Sequence, residues 1–215
     1  QAINIALIEE MNKNKNLVCF GLGINDSLKF FGTTKGLEEK FGSERVFETP
    51  TSENAMTGIG IGMSLNNNPC VMMHQRLDFF LLAMDQLVNS AAKWHFMFGG
   101  KKNVPITIRL VVGKGWGQGP THSQSLQSWF AHIPGLKVVM PSLPSDAYNL
   151  LKASIRDPNP VIFIEHRWLH GVEENKIIKK NIKRQIGTSN ILSKGNDFTV
   201  VTYSLSTLEI LALKK

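Results

Sequence analysis

The chain has 215 residues, 42% of them hydrophobic and 19% charged, enough for one α/β domain and part of a second and unlike a disordered protein. No apolar run approaches the roughly 18 residues of a membrane span, and the N-terminus lacks the basic flank and cleavage site of a signal peptide. The net charge of +7 is concentrated between Lys176 and Arg184, where no aromatic residue interleaves the lysines, so a solvated linker is expected there and no nucleic-acid partner.

In chain order, β-branched apolar runs predict strands over 17–20, 46–48, 70–74, 106–112, 136–140, 161–165 and 198–203. Helical periodicity predicts helices over 2–11, 35–41, 53–65, 79–98, 126–132 and 147–155. The alternation, with strands apolar nearly throughout, implies an α/β fold whose mostly parallel sheet is covered by helices on both faces. Cys19 and Cys70 fall in two of these strands and are expected as buried, unpaired thiols of a reducing cytoplasm. Ser145 or Asp146 is expected to cap the helix that follows Pro141-Ser-Leu-Pro. Asp157-Pro-Asn-Pro ends it. Composition divides the chain into a domain over 1–170, a polar and basic linker over 171–195, and, at 196–215, the opening of a truncated second domain.

Three segments offer chemistry. In Thr49-Pro-Thr-Ser-Glu-Asn-Ala-Met-Thr-Gly-Ile-Gly-Ile-Gly, Glu53 stands where a strand meets a helix. A cap at Thr51 or Ser52 and a carboxylate at the positive helix end account for those residues. They leave Gly58, Gly60 and Gly62 unexplained. Each costs on the order of 1 kcal/mol against Ala, which points to close packing against another element or subunit. In Met72-Met-His-Gln-Arg-Leu-Asp-Phe-Phe, Phe79 and Phe80 lie just past a strand end, where parallel sheets bind ligands. They suit either stacking on a planar ring or the core. Val112-Gly-Lys-Gly-Trp-Gly-Gln-Gly-Pro-Thr-His fits neither the P-loop nor the dinucleotide pattern. It delivers His122 as a general acid/base, a helix cap or a surface residue. No zinc-spaced ligand set and no nucleophile elbow is present.

These segments, in this order, resemble the β subunit of the E1 component of 2-oxo-acid dehydrogenases (pyruvate, branched-chain and acetoin), and more distantly transketolase. The resemblance also rests on the blocks beginning Thr33-Thr-Lys-Gly, Ala83-Met-Asp-Gln, Met97-Phe-Gly-Gly, Thr121-His-Ser-Gln-Ser and Ala153-Ser-Ile-Arg-Asp. It implies the pyrimidine-binding domain of a thiamine-diphosphate fold, with the diphosphate and Mg²⁺ held by an α subunit in an α2β2 heterotetramer. It implies that Glu53 hydrogen-bonds the N1′ atom of the aminopyrimidine and that Phe79 stacks on that ring. His122 is implied in proton handling and in passing the acyl group to the lipoamide of an E2 protein. Ile106, Ser154, Ile155, Asp157 and Asn159 match a structural K⁺ site of some members. The diphosphate motif, Gly-Asp-Gly with a later Asn pair, is missing, as expected of half a cofactor site. The expectation is an enzyme of the cytoplasm that decarboxylates a 2-oxo acid, pyruvate by default, with no membrane association. The rivals are another thiamine enzyme without a lipoyl partner and a non-catalytic assembly subunit. His74, Arg76, Lys114 and Trp116 depart from the family's usual residues and put substrate identity in doubt. Arg76 suits either an anionic substrate or a structural ion pair.

Overall fold

The computed structural model describes residues 1–174 and 185–213. The basic segment between Lys176 and Arg184 lies within 175–184, outside the described residues. Six strands, β1 (Val18–Gly21), β2 (Val46–Glu48), β3 (Cys70–His74), β4 (Ile106–Val112), β5 (Lys137–Val139) and β6 (Val161–His166), form one sheet in the order β2-β1-β3-β4-β6-β5. Every ladder is parallel. The first six predicted strands are thus observed to within a residue or two.

Apolar side chains alternate between the two faces, as the two-residue period of a strand requires. Phe20, Met72, Ile108 and Ile162 point to one core, where they meet α3 (Glu53–Leu65), α4 (Leu77–Phe80), the turn Gln86–Ala91, α5 (Ala92–Met97) and α6 (Gln127–Ala131). Cys19, Val71, Met73 and Phe163 point to the other, beneath α1 (Ala2–Lys13), α2 (Leu37–Phe41) and α7 (Pro144–Ile155). Both cysteines are buried free thiols, and burial pushes each up to about 12. The chain leaves β1 through α2 on one face and β3 through α4 on the other. A crevice at the strand C-termini follows from that divergence.

Four predictions need correction. The helix expected over 79–98 begins two residues earlier and is not uniform: α4 passes into a 3₁₀ turn (Leu81–Ala83), a π turn (Gln86–Ala91) and then α5. Neither Ser145 nor Asp146 caps α7, which starts at Pro144. The Glu174 carboxylate accepts from the Ser145 amide (2.9 Å) and hydroxyl (3.2 Å) in their place. Ser52 occupies the N-cap of α3 but makes no side-chain capping bond. The run 198–203 is not a strand; no neighbouring strand pairs with it, and Phe198 and Val201 stand 82% and 89% exposed. A strand without a ladder partner has no reason to hold its extended form. The last described helix is α8 (Leu205–Ala212).

Candidate active site

The C-terminal edge of the sheet gathers the segments singled out in the sequence. Glu53 follows β2, Phe79 follows β3 and His122 follows β4. Glu53 lies in the first turn of α3 and is 7% exposed. No hydrogen bond or ion pair joins its carboxyl to another described residue; only its backbone carbonyl is engaged, by the Thr57 hydroxyl at 2.8 Å. A buried carboxyl normally finds a partner.

The two phenylalanines past β3 divide their duties. Phe80 is fully buried and packs on Phe130, whereas Phe79 is 41% exposed. The Phe79 ring meets the His122 imidazole edge to face, with centroids 5.1 Å apart. Its neighbour Asp78 binds the two loops together, accepting from the Gln124 amide (3.2 Å) and side chain (2.9 Å). His122 ends a short 3₁₀ turn (Pro120–His122), with Thr121 Oγ1 3.2 Å from Nδ1. It caps no helix. Gly113, Gly115, Gly117 and Gly119 all take positive φ, from 72° to 142°. The stretch is therefore a specified loop path that side chains would oppose. The structure brings Phe79 and His122 into contact. Glu53 shares their edge of the sheet, and α3 packs against the turns that continue α4.

The glycines of α3 have separate causes. A Cβ on Gly60 would lie 2.8 Å from Ile106 Cδ1 and 3.0 Å from Phe20 Cζ, so this glycine lets α3 sit on its own sheet. A Cβ on Gly58 would touch Gln86 at 3.5 Å, and one on Gly62 would meet nothing within 4 Å.

The residues matched to a K⁺ site lie at the opposite edge, where α7 turns into β6 beside the start of β4. Lys137 pairs with Asp157 (2.5 Å), and the Ser154 hydroxyl donates to Leu150 O (2.7 Å). Among the described residues no three His, Cys, Asp or Glu side chains gather to hold a metal.

Sequence reasoning missed a buried charge network at the active edge. Arg109, fully buried on β4, grips Glu165 of β6 through two bonds of 2.6 and 3.0 Å and donates to Thr33 Oγ1 at 3.0 Å. The Glu165 carboxylate also meets His170 Nε2 at 3.0 Å. Burial alone would raise its pKa; the Arg109 charge and the bonds from His170 and Arg109 outweigh that and bring it down to about 2. An Arg and a Glu, each interrupting an apolar strand, were the available signal; in the ladder Arg109 faces Phe163 and Glu165 faces Val111, two positions on. His74, at the end of β3, is 1% exposed with both ring nitrogens unpartnered, and burial lowers it to about 4.

Comparisons with known proteins bear on the family and the fold. Residues 1–171 match the transketolase pyrimidine-binding domain. The chain is 39% identical over 206 residues to the mitochondrial pyruvate dehydrogenase E1 component subunit beta-1 of Arabidopsis thaliana, covering 94% of this chain and 57% of that protein. It is 40% identical over 214 residues to the acetoin:2,6-dichlorophenolindophenol oxidoreductase subunit beta of Cupriavidus necator, covering 95% of this chain and 63% of that one. A solved structure described as a split gene transketolase, an inactive beta4 tetramer, superposes with a TM-score of 0.78 at 20% identity, over 98% of this chain and 64% of that one. The chain thus spans roughly three fifths of these relatives' lengths. With the matched domain reaching from the first residue past the last strand, the chain belongs to the transketolase pyrimidine-binding domain family.

Proposed function

We propose that this chain is the β subunit of a thiamine-diphosphate-dependent 2-oxo-acid dehydrogenase E1 component. The observation that carries the reading is the Glu53 carboxyl: buried, without a partner among the described residues, and on the same edge as the exposed Phe79 ring. These residues fit an aminopyrimidine. Glu53 would hold N1′, and Phe79 would lie against the ring face. When bound, thiamine diphosphate supplies the carbanion equivalent and the electron sink for decarboxylation.

The chain's own residues do the rest. Glu53, 7% exposed at the start of α3, would hold N1′ through its carboxyl and keep the ring in one orientation. His122, kept in place by its contact with Phe79, is the candidate for moving a proton at the mouth of the site and for helping acyl transfer to lipoamide. Asp78 fixes the loop that carries it. The diphosphate and Mg²⁺ belong to an α subunit in this reading, and a lipoyl-bearing E2 protein accepts the acyl group. A K⁺ ion beside residues 106 and 154–159 would rest on backbone carbonyls, since the Ser154 hydroxyl and Asp157 carboxylate are engaged. Residues 171–195 as a linker and 196–215 as the opening of a second domain belong to the same proposal; exposed Phe198, Val201 and Tyr203 support it. So does a cytoplasmic location, supported by the two free thiols.

Co-expression with a candidate α subunit tests the reading. The assembly should retain thiamine diphosphate through gel filtration and release CO₂ from a 2-oxo acid only when the cofactor is present. An assembly that forms but neither retains the cofactor nor turns over any 2-oxo acid ends this proposal.

A further inference from the structure

The loops that follow β3, β4 and β6 place two arginines on one indole. The Arg76 guanidinium carbon lies 5.0 Å from the Trp116 ring centroid and that of Arg167 5.2 Å from it. Arg167 also lies 4.7 Å from the Phe31 ring. Among the described residues neither guanidinium forms an ion pair. Arg76 donates through Nη2 to the neutral side chain of Gln118, and the Asp78 carboxylate, whose charge favours protonated Arg76, accepts from Gln124 through Oδ1. Two donors of the cluster, Arg76 Nη1 and Trp116 Nε1, are shielded from solvent yet have no acceptor among the described residues. Burial first and the Arg167 charge second make protonation of Arg76 less favourable than usual, with the Asp78 charge opposing them.

Each of these features is costly alone. Like charges beside one ring repel, and a shielded donor without an acceptor forfeits its hydrogen bond to water. Cation–π attraction offsets part of this but satisfies neither N–H. An oxyanion would offset the repulsion and supply an acceptor that these donors lack, and arginine's forked donors match a carboxylate or a phosphate. We propose that Arg76, Trp116 and Arg167 recognise a second oxyanion on the substrate, a carboxylate or phosphate at the end remote from the reacting carbon. This rests on the thiamine-dependent reading above. The carboxylate that leaves as CO₂ is the poorer candidate. It loses its charge in the transition state, so two arginines gripping it would stabilise the ground state more and slow the step.

The test uses the chain assembled with its α subunit. Inorganic phosphate and glutarate are titrated calorimetrically into the wild type and into Arg76→Gln, Arg167→Gln and Arg76→Lys. Both probes should bind the wild type and bind each Gln variant at least tenfold more weakly. The Lys variant, which keeps the charge and loses the fork, should fall between. Steady-state assays then compare 2-oxoglutarate, the carboxylate-tailed donor, and fructose 6-phosphate, the phosphate-tailed donor, with uncharged-tailed 2-oxobutyrate. In Arg76→Gln, the ratio of kcat/KM for the favoured tailed donor over that for 2-oxobutyrate should drop at least tenfold. Whichever tailed donor the wild type favours identifies the oxyanion. The proposal is overturned if neither probe binds the wild type, if the Gln variants bind them undiminished, if the ratio is unchanged, or if the variants instead lose the α subunit. Should the assembly show no thiamine-dependent turnover at all, the functional reading fails while the titrations still decide whether the oxyanion site exists.

Discussion

Glu53 is the residue on which chemistry and packing can be separated most cleanly. Its carboxyl makes no bond to another of the described residues, so replacing it should leave the fold intact. Glu53→Gln and Glu53→Ala are expected to lower kcat of the assembled enzyme by two or more orders of magnitude, as removal of an essential proton-handling group does, with melting temperature and subunit composition retained. Turnover within threefold of wild type would remove Glu53 from the mechanism. His122→Ala should cost less, and mainly in acyl transfer to lipoamide. An equal loss with an artificial electron acceptor would contradict that assignment. Glu165→Gln is the opposite kind of change. It strands Arg109 with its charge in the core, a loss of about 3 kcal/mol by analogy with broken buried pairs. Calorimetric unfolding of the isolated chain measures it, and an unchanged melting temperature would show that Arg109 finds another partner.

At the scale of elements, α3 shows what the sequence could and could not disclose. Its three glycines were visible as an anomaly, and the reading of close packing was right for Gly60, but against the chain's own sheet. A linear pattern cannot say which neighbour approaches. Gly60→Ala forces a methyl into a filled space and should cost about 1–3 kcal/mol. Gly62→Ala meets open space, should stabilise the isolated chain by up to about 1 kcal/mol through helix propensity, and should weaken assembly if that face receives the partner. Stabilisation together with undisturbed assembly would move the interface elsewhere. The six strands were legible because buried parallel strands are apolar on both faces. Phe79 and Phe80 were not separable in sequence, since consecutive positions at a helix start face in different directions. The Arg109–Glu165 pair was hidden for another reason: the residues lie 56 positions apart and meet only through the register of β4 on β6. Residues 198–203 misled because an apolar, β-branched run says nothing of whether a neighbouring strand exists.

For the whole molecule, two buried groups among the described residues, His74 and Glu165, shape the response to acid. The folded pKa of His74, about 4, lies below its unfolded value of 6.5. Its neutral form is favoured in the fold, so that contribution is complete above pH 6.5 and is lost as pH falls towards 4, up to about 3 kcal/mol. Glu165 acts lower. Its contribution is intact above about 4.5 and is lost as pH falls towards 2. Unfolding free energy of the isolated chain should therefore decline in two stages. His74→Leu should flatten the upper one, and it removes two unpartnered nitrogens at the same time. Equal slopes for wild type and variant between pH 6.5 and 4 would show that His74 reaches water or a hydrogen-bond partner in solution.

Trp116 and Trp168 stand 5.9 Å apart with their planes inclined by 50°. Two indoles so close and so inclined couple their electronic transitions, and the coupling leaves a paired signal in circular dichroism. The mouth of the cleft therefore carries its own optical gauge. Occupation of that mouth by any molecule that shifts the Gly-rich loop can be followed by light, before any turnover has been measured.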